Sequence, residues 1–264
     1  MSNLREISPD HIESDRTFSI CTLITDFVQY RCAIESFEAR GFNTKNSEFL
    51  YIDNTHKNFF DGYSGIAEFL KRSSAKYIIV CHQDVELIDD GFNVLVEKLA
   101  ELDRIDPLWA IAGNAGLCGP GDWVMRITDR FFENARIGEF PCKVDSLDEN
   151  TLILKKSALV APSADLSGFH FYGLDLCLQS KIKGCNAYVI DFHLHHHGSG
   201  TKSPSYYECR DALERKYAKL LRFGIIQTTC DLVFLGPAFH IRFLRWFAIR
   251  LLRVFSKYGP SQTI

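Results

Sequence analysis

The sequence predicts an α/β protein with a mostly parallel central sheet and helices on both of its faces. Three observations carry that expectation. Apolar, β-branched runs alternate with segments whose apolar residues recur at helical spacing. The joins between them are short and carry glycine or acids. The first three runs each end in polar residues, as strands do where an open sheet meets its ligand. With 264 residues, 46% hydrophobic and 24% charged, the chain can build one ordinary domain with a substantial core.

The elements follow in order. FSICTLITD, from Phe18 to Asp26, reads as a first strand ending in an acid, and the segment after it closes on Gly41 as a helix capped at both ends would. EFLYIDNTHKN, Glu48 to Asn58, reads as a second strand running into a polar loop. Asp61 to Lys71 is expected as a short helix with Ile66, Phe69 and Leu70 inward, and AKYIIVCHQD as the third strand. Asp89 and Asp90 then look like N-caps for GFNVLVEKLAEL, where Phe92, Leu95, Leu99 and Leu102 share a face. LWAIAG is a further strand, and the glycine-rich NAGLCGPGDW, Asn114 to Trp123, reads as a loop. SGFHFYGLDLCLQSKIKG enters a helix with Leu174, Leu178 and Ile182 on one face and stops at Gly184. AYVIDFHL is the next strand, leading into His195, His196 and His197 and a Gly198–Thr201 loop.

Several function classes are excluded or disfavoured. A net charge of −3 gives no general reason to bind nucleic acid. There is no phosphate-binding G-x-x-x-x-G-K-[ST], no G-x-G-x-x-G after the first strand and no G-x-S-x-G nucleophile elbow. The nine cysteines are scattered, odd in number and never in a C-x-x-C pair, so thiols in a reducing cytosol are expected rather than a disulfide framework. No run of 18 apolar residues suggests a spanning helix.

From the residues alone, Asp84 stands out because it sits at a strand end beside His82, where a carboxylate can hold a hard divalent cation and, through it, a diphosphate. A capping or structural acid is the competing reading. Asp175 falls in the first turn of its helix, where the helix dipole by itself accounts for an acid. The triple histidine fits either a neutral imidazole near a cation or a solvated loop.

Taken together, the strand end between Thr22 and Asp26, the acid at Asp53, the HQDV strand end, the FHFY-x-x-DLCL segment and the HHHGSGT loop resemble the inverting, nucleotide-sugar-dependent glycosyltransferases of family two. Within that group they are similar to a short bacterial branch. The likeness covers about residues 17 to 205. It implies a GT-A fold over residues 1–205; residues 206–264 are not part of the shared core and read by themselves as a helical extension, with ERKYAKLLRFGII, Glu214 to Ile226, continuing helically. It also implies transfer of a sugar from a nucleotide-diphosphate donor, a UDP-sugar first among candidates, to a saccharide or lipid-linked acceptor in bacterial surface polysaccharide or glycolipid synthesis. Thr22, Asp26, Asp53, His82 and Gln83 would line the nucleotide, Asp53 on its base or ribose side. Asp84, with His196 or His197, would hold Mn2+ or Mg2+. Asp175 would be the base. The 114–123 loop would lie on the acceptor side, with Trp123 either stacking on a sugar ring or packing in the core. Two departures from the family pattern stand out: His82 replaces the first acid of the aspartate-x-aspartate pair, and Tyr172-Gly173 replaces a glutamate-aspartate pair. They leave room for an alternative, a non-catalytic sugar-nucleotide-binding or scaffold protein on the same fold.

The tail is read apart from the resemblance. In PAFHIRFLRWFAIRLLRVFSKY, Pro237 to Tyr258, Arg242, Arg245, Arg250, Arg253 and Lys257 fall on one helical side, with Phe243, Leu244, Phe247, Leu251, Val254 and Phe255 opposite. A basic amphipathic helix of this kind is expected either on the anionic inner face of the plasma membrane or packed on the core or a second subunit. Cytoplasmic residence, peripheral at that membrane, is the corresponding localisation.

Overall fold

A computed structural model describes residues 16–198, 202–218 and 224–235. The basic amphipathic segment 237–258 and residues 199–201 of the histidine loop lie outside the described residues. The chain runs β1 (Phe18–Ile24), α1 (Phe27–Ala39), β2 (Ser47–Asp53), α2 (Gly62–Arg72), β3 (Tyr77–Cys81), β4 (Val85–Glu86), α3 (Phe92–Ile105), β5 (Trp109–Gly113), β6 (Ala115–Gly119), β7 (Asp122–Thr128), β8 (Ala135–Ile137), β9 (Cys142–Val144), β10 (Ser146–Leu147), β11 (Thr151–Lys155), α4 (Tyr172–Ile182), β12 (Asn186–Val189), β13 (Leu194–His196), α5 (Pro204–Tyr217), β14 (Gly224–Gln227) and β15 (Leu232–Leu235).

A seven-stranded sheet of order β2-β1-β3-β11-β5-β12-β9 forms the centre. Strands β2, β1, β3, β5 and β12 run one way, while β11 and β9 run the other. Alternation along β3 divides the core. Tyr77, Ile79 and Cys81 face a cluster holding Phe37 of α1 and Leu95, Leu99 and Leu102 of α3. Ile78 and Val80 face a cluster holding Ile66 and Phe69 of α2 with Leu176 and Cys177 of α4. Helices therefore cover both faces, as expected, and β3 reads as a continuous apolar run because neither face meets water.

The helix ends follow local chemistry. Asp26 caps α1 by accepting from the Val28 and Gln29 amides at 2.7 and 3.2 Å, and Asp61 caps α2 in a reciprocal box with Ser64. Asp89 and Asp90 do not cap α3. Gly91 is its N-cap, and Asp90 instead accepts the His193 amide at 2.6 Å.

Three further expectations change. The glycine-rich 114–123 segment is not a loop but the β6–β7 hairpin, turned at Pro120-Gly121. Gly116 is needed there because a Cβ would meet the Ser146 carbonyl at 2.3 Å. Trp123 packs against the core rather than standing free. The expected strand 187–194 is two strands in two sheets: β12 lies between β5 and β9 in the central sheet, and β13 joins β4 and β7 in a second sheet of six strands. Asp191 makes the break, turning out toward Arg136 at 3.1 Å, Arg126 at 3.5 Å and Lys98 at 4.0 Å. Finally, the helical pattern expected to run through Ile226 ends with α5, and Gly224–Gln227 pairs with Leu232–Leu235 as a hairpin. Tyr206, Leu213 and Tyr217 of α5 pack on Leu174 and Leu178 of α4, the opposite side of that helix from the sheet. All nine cysteines are free thiols.

Candidate functional site

The parallel strands β1, β2 and β3 all end at one edge of the sheet, and the antiparallel β11 begins there, with Thr151 opposite Cys81. Four segments distant in sequence meet at that edge. The His82-Gln83-Asp84 link leaves β3, β13 brings His196, the turn before β11 brings Asp148 and Glu149, and the start of α4 brings Tyr172 and Gly173.

The centre of the site is a cluster of His82, Asp84 and His196, whose donor atoms all lie within 4.8 Å of one another. His196 Nε2 is 3.5 Å from Asp84 Oδ1 and 3.3 Å from His82 Nδ1. Donors around one divalent ion with bonds of about 2.0–2.2 Å lie about 3.1–3.6 Å apart, so two imidazoles and a carboxylate in this arrangement fit such an ion. Gly198 leaves the approach clear, since a Cβ there would come within 2.4 Å of Asp84 Oδ2 and 3.0 Å of His196 Nε2. Burial opposes charge on all three groups, and the charges then sort themselves. Hydrogen bonding and attraction between Asp84 and His196 overcome that burial, holding the carboxyl below its ordinary range and the imidazole above its own. Burial and then His196 push His82 down, so His82 is the neutral member.

Tyr172 locks His82 in place, its hydroxyl 3.0 Å from His82 Nε2. The Tyr172 ring sits against Gly62, where a Cβ would approach it to 2.5 Å. Next to Tyr172, Glu149 Oε1 accepts the Gly173 amide at 3.0 Å at the start of α4. A Cβ on Gly173 would meet Glu149 Cγ at 3.1 Å and the Leu147 carbonyl at 2.9 Å. Glu149 thus brings a carboxylate from another segment into the space beside Gly173. Glu149 is half-buried as a residue. Burial of its carboxyl, aided by the Asp148 charge and opposed by the hydrogen bond from Gly173, pushes the pKa up to about 8.

The expected residues divide. His82, Asp84 and His196 come together. His197 does not join them: it lies on the other face of the ribbon, 3.1 Å from Glu86 Oε2. Gln83 holds the β1–α1 turn, accepting from the Thr25 and Asp26 amides at 2.7 and 2.9 Å and donating to Thr25 Oγ1 and Gln29 Oε1. Asp26 is the cap of α1. Thr22 is buried, with its hydroxyl 3.5 Å from Cys81 Sγ, so it lies beneath the site. Asp53 is exposed at the end of β2, bonded to the Thr55 amide and hydroxyl, and borders an open groove of about 360 Å³ with Tyr51, Phe59 and Arg72. Asp175 is 0% exposed. Its oxygens accept from the Ser163 amide at 2.7 Å, the Ser163 hydroxyl at 2.6 Å and the Tyr217 hydroxyl at 2.6 Å. The structure does not bring it to the cluster.

Glu149 and Tyr172 were missed because their placement is non-local. One signal pointed to Glu149: DEN directly precedes the apolar TLILK run, and a strand antiparallel to β3 must begin where β3 ends.

No protein-family model matches the chain. Its fold is shared with TarS of S. aureus at a TM-score of 0.53 and 9% identity, over 78% of this chain and 40% of that structure. TarS 1-349 in complex with UDP-GlcNAc matches at 0.52 and 8% identity, over 78% and 67%. The mannosyltransferase PcManGT from Pyrobaculum calidifontis, in complex with GDP-Man and Mn2+, matches at 0.50 and 11% identity, over 81% and 66%. The chain thus spans about two fifths of the first of these and about two thirds of the other two. The likeness is one of fold: an α/β glycosyltransferase architecture. In sequence, the chain is 38% identical over 241 residues to a Fuscovulum blasticum protein designated ATP synthase subunits region ORF 6, covering 88% of this chain and 95% of that relative. At that identity and coverage, this chain belongs to the same family as the Fuscovulum blasticum protein.

Proposed function

We propose that the chain is an inverting glycosyltransferase that moves a sugar from a nucleoside-diphosphate donor, a UDP-sugar first among candidates, to an acceptor hydroxyl. The observation that carries the reading is the convergence of His82, Asp84 and His196 at the carboxyl edge of the sheet, in a fold shared with enzymes bound to UDP-GlcNAc and GDP-Man. Asp84 and His196, with His82 beside them, would hold a divalent cation, and two imidazoles with one carboxylate suit Mn2+ better than Mg2+, which prefers oxygen donors. Such an ion supplies positive charge against the diphosphate as it departs.

The chain's own residues do the rest. Tyr172 fixes the His82 ring through Nε2, which leaves Nδ1 turned toward His196. Gln83 holds the β1–α1 turn, and Asp53 with Thr55 forms the polar end of β2; both belong to the nucleotide side. Glu149 takes the acceptor proton. As the acceptor oxygen bonds to the anomeric carbon, the carbon–oxygen bond to the diphosphate breaks, and the hydroxyl proton passes to Glu149. A carboxylate with a pKa near 8 is well matched to that task. Asp175 holds α4 to Ser163 and to α5. A saccharide or lipid-linked acceptor in surface polysaccharide synthesis accords with the basic-apolar sequence of 237–258.

The test is a panel of nucleotide sugars incubated with purified protein, with and without Mn2+, following donor hydrolysis and transfer to acceptor. Transfer that Asp84→Asn and Glu149→Gln each abolish supports the reading. Donor binding with no turnover on any acceptor or on water would place the chain among non-catalytic sugar-nucleotide binders.

A further inference from the structure

We propose that the outer face of the β4–β13 ribbon is a second divalent-metal site, made by Glu86, His195 and His197, separate from the His82–Asp84–His196 cluster and of a chemistry suited to Zn2+. The ribbon has two faces because side chains alternate along a strand. In the antiparallel register His195 stands opposite Glu86 and His196 opposite Val85. His196 shares the face of Val85 and meets Asp84, just outside β4, at 3.5 Å, while His195 and His197, two residues apart, gather with Glu86 on the other face.

The donor atoms of these three residues lie within 4.8 Å of one another. His197 Nε2 is 3.1 Å from Glu86 Oε2, and the two imidazole rings lie with centroids 3.8 Å apart, tilted by 41°. The 3.1 Å separation matches two ligands on one ion. Two imidazoles and one carboxylate leave a coordination position open and favour Zn2+ over Mg2+ or Ca2+, which prefer oxygen donors. Glu86 and His195 are half-buried and His197 is exposed, so an ion can enter from solvent. Such an ion would tie β4 to β13 and so fix the register that places His196 beside Asp84.

Cobalt serves as a spectroscopic probe of both sites. Wild-type protein stripped with chelator is expected to take up two equivalents of Co2+. An Asp84→Asn/His196→Ala double variant should retain one, with tetrahedral visible bands. Adding His197→Ala to that background should weaken the remaining site at least tenfold, and Glu86→Gln, nearly equal in size, should do the same with the circular dichroism unchanged. In the reciprocal experiment, Glu86→Gln/His197→Ala should keep one equivalent at the inner cluster. The proposal is overturned if the Asp84→Asn/His196→Ala protein binds no cobalt, or if its cobalt affinity is indifferent to both Glu86→Gln and His197→Ala. Either result would leave Glu86–His197 a plain ion pair.

Discussion

At the scale of single residues, the site sets two acids against each other by environment. Asp84 is held ionised by His196, whereas Glu149 is pushed toward its neutral form by burial. Asp84→Asn should cut metal-dependent nucleotide affinity by about tenfold or more while leaving the circular dichroism unchanged, which calorimetry with and without Mn2+ will show. Glu149→Gln should lower kcat about 10²-fold or more with donor affinity nearly preserved. The wild-type rate should rise with pH and level off above about 8, and the variant should lose that limb. Stability moves the opposite way. The folded pKa of Glu149 stands above its ordinary 4.5, so its contribution is fully present below that value and is lost as pH rises through about 8. Glu149→Gln should therefore gain in relative stability above pH 8, read from melts across pH. The place of Asp84 in the cluster was legible because a strand, its polar end and a histidine are adjacent in sequence. That of Glu149 was not, since nothing local shows which residue fills the space beside Gly173.

At the scale of elements, α4 connects the site to the rest of the protein, with its first turn at Glu149 and Tyr172 and its flank clamped through Asp175. Asp175→Asn would set an amide NH2 against groups that now donate to a carboxylate. It should cost about 1–3 kcal/mol, lowering Tm while the folded fraction keeps a near-normal kcat. A kcat loss of 10²-fold at unchanged Tm would instead make Asp175 a participant in the chemistry. Gly173→Ala should displace Glu149 and depress kcat more than it depresses stability. Strands and helices with one dominant period were legible: β3 from its apolar run, α3 from Leu95, Leu99 and Leu102. The β6–β7 hairpin was not, because its glycines answer to the approach of the Ser146 carbonyl rather than to loop chemistry. Nor was the break at Asp191, whose cause is three cations brought from elsewhere in the chain.

At the scale of the whole molecule, a nearly neutral protein concentrates its chemistry at one sheet edge, and the sequence of 237–258 concentrates cations in one stretch. Removing residues 237–264 should release the protein from acidic liposomes at low salt and leave turnover on a soluble acceptor intact, as co-sedimentation and a transfer assay will show. The separation of the site's members along the chain has a further consequence, for folding kinetics. His82 and His196 meet across 114 residues, and His82 and Tyr172 across 90. Contacts that close such long loops form late, after local helices and neighbouring strands. In refolding, far-ultraviolet ellipticity should recover before nucleotide binding does. A chain emerging from the ribosome would carry a nearly complete sheet before His196 reaches His82 and Asp84, and the cluster would assemble in a single late step when β13 docks beside β4.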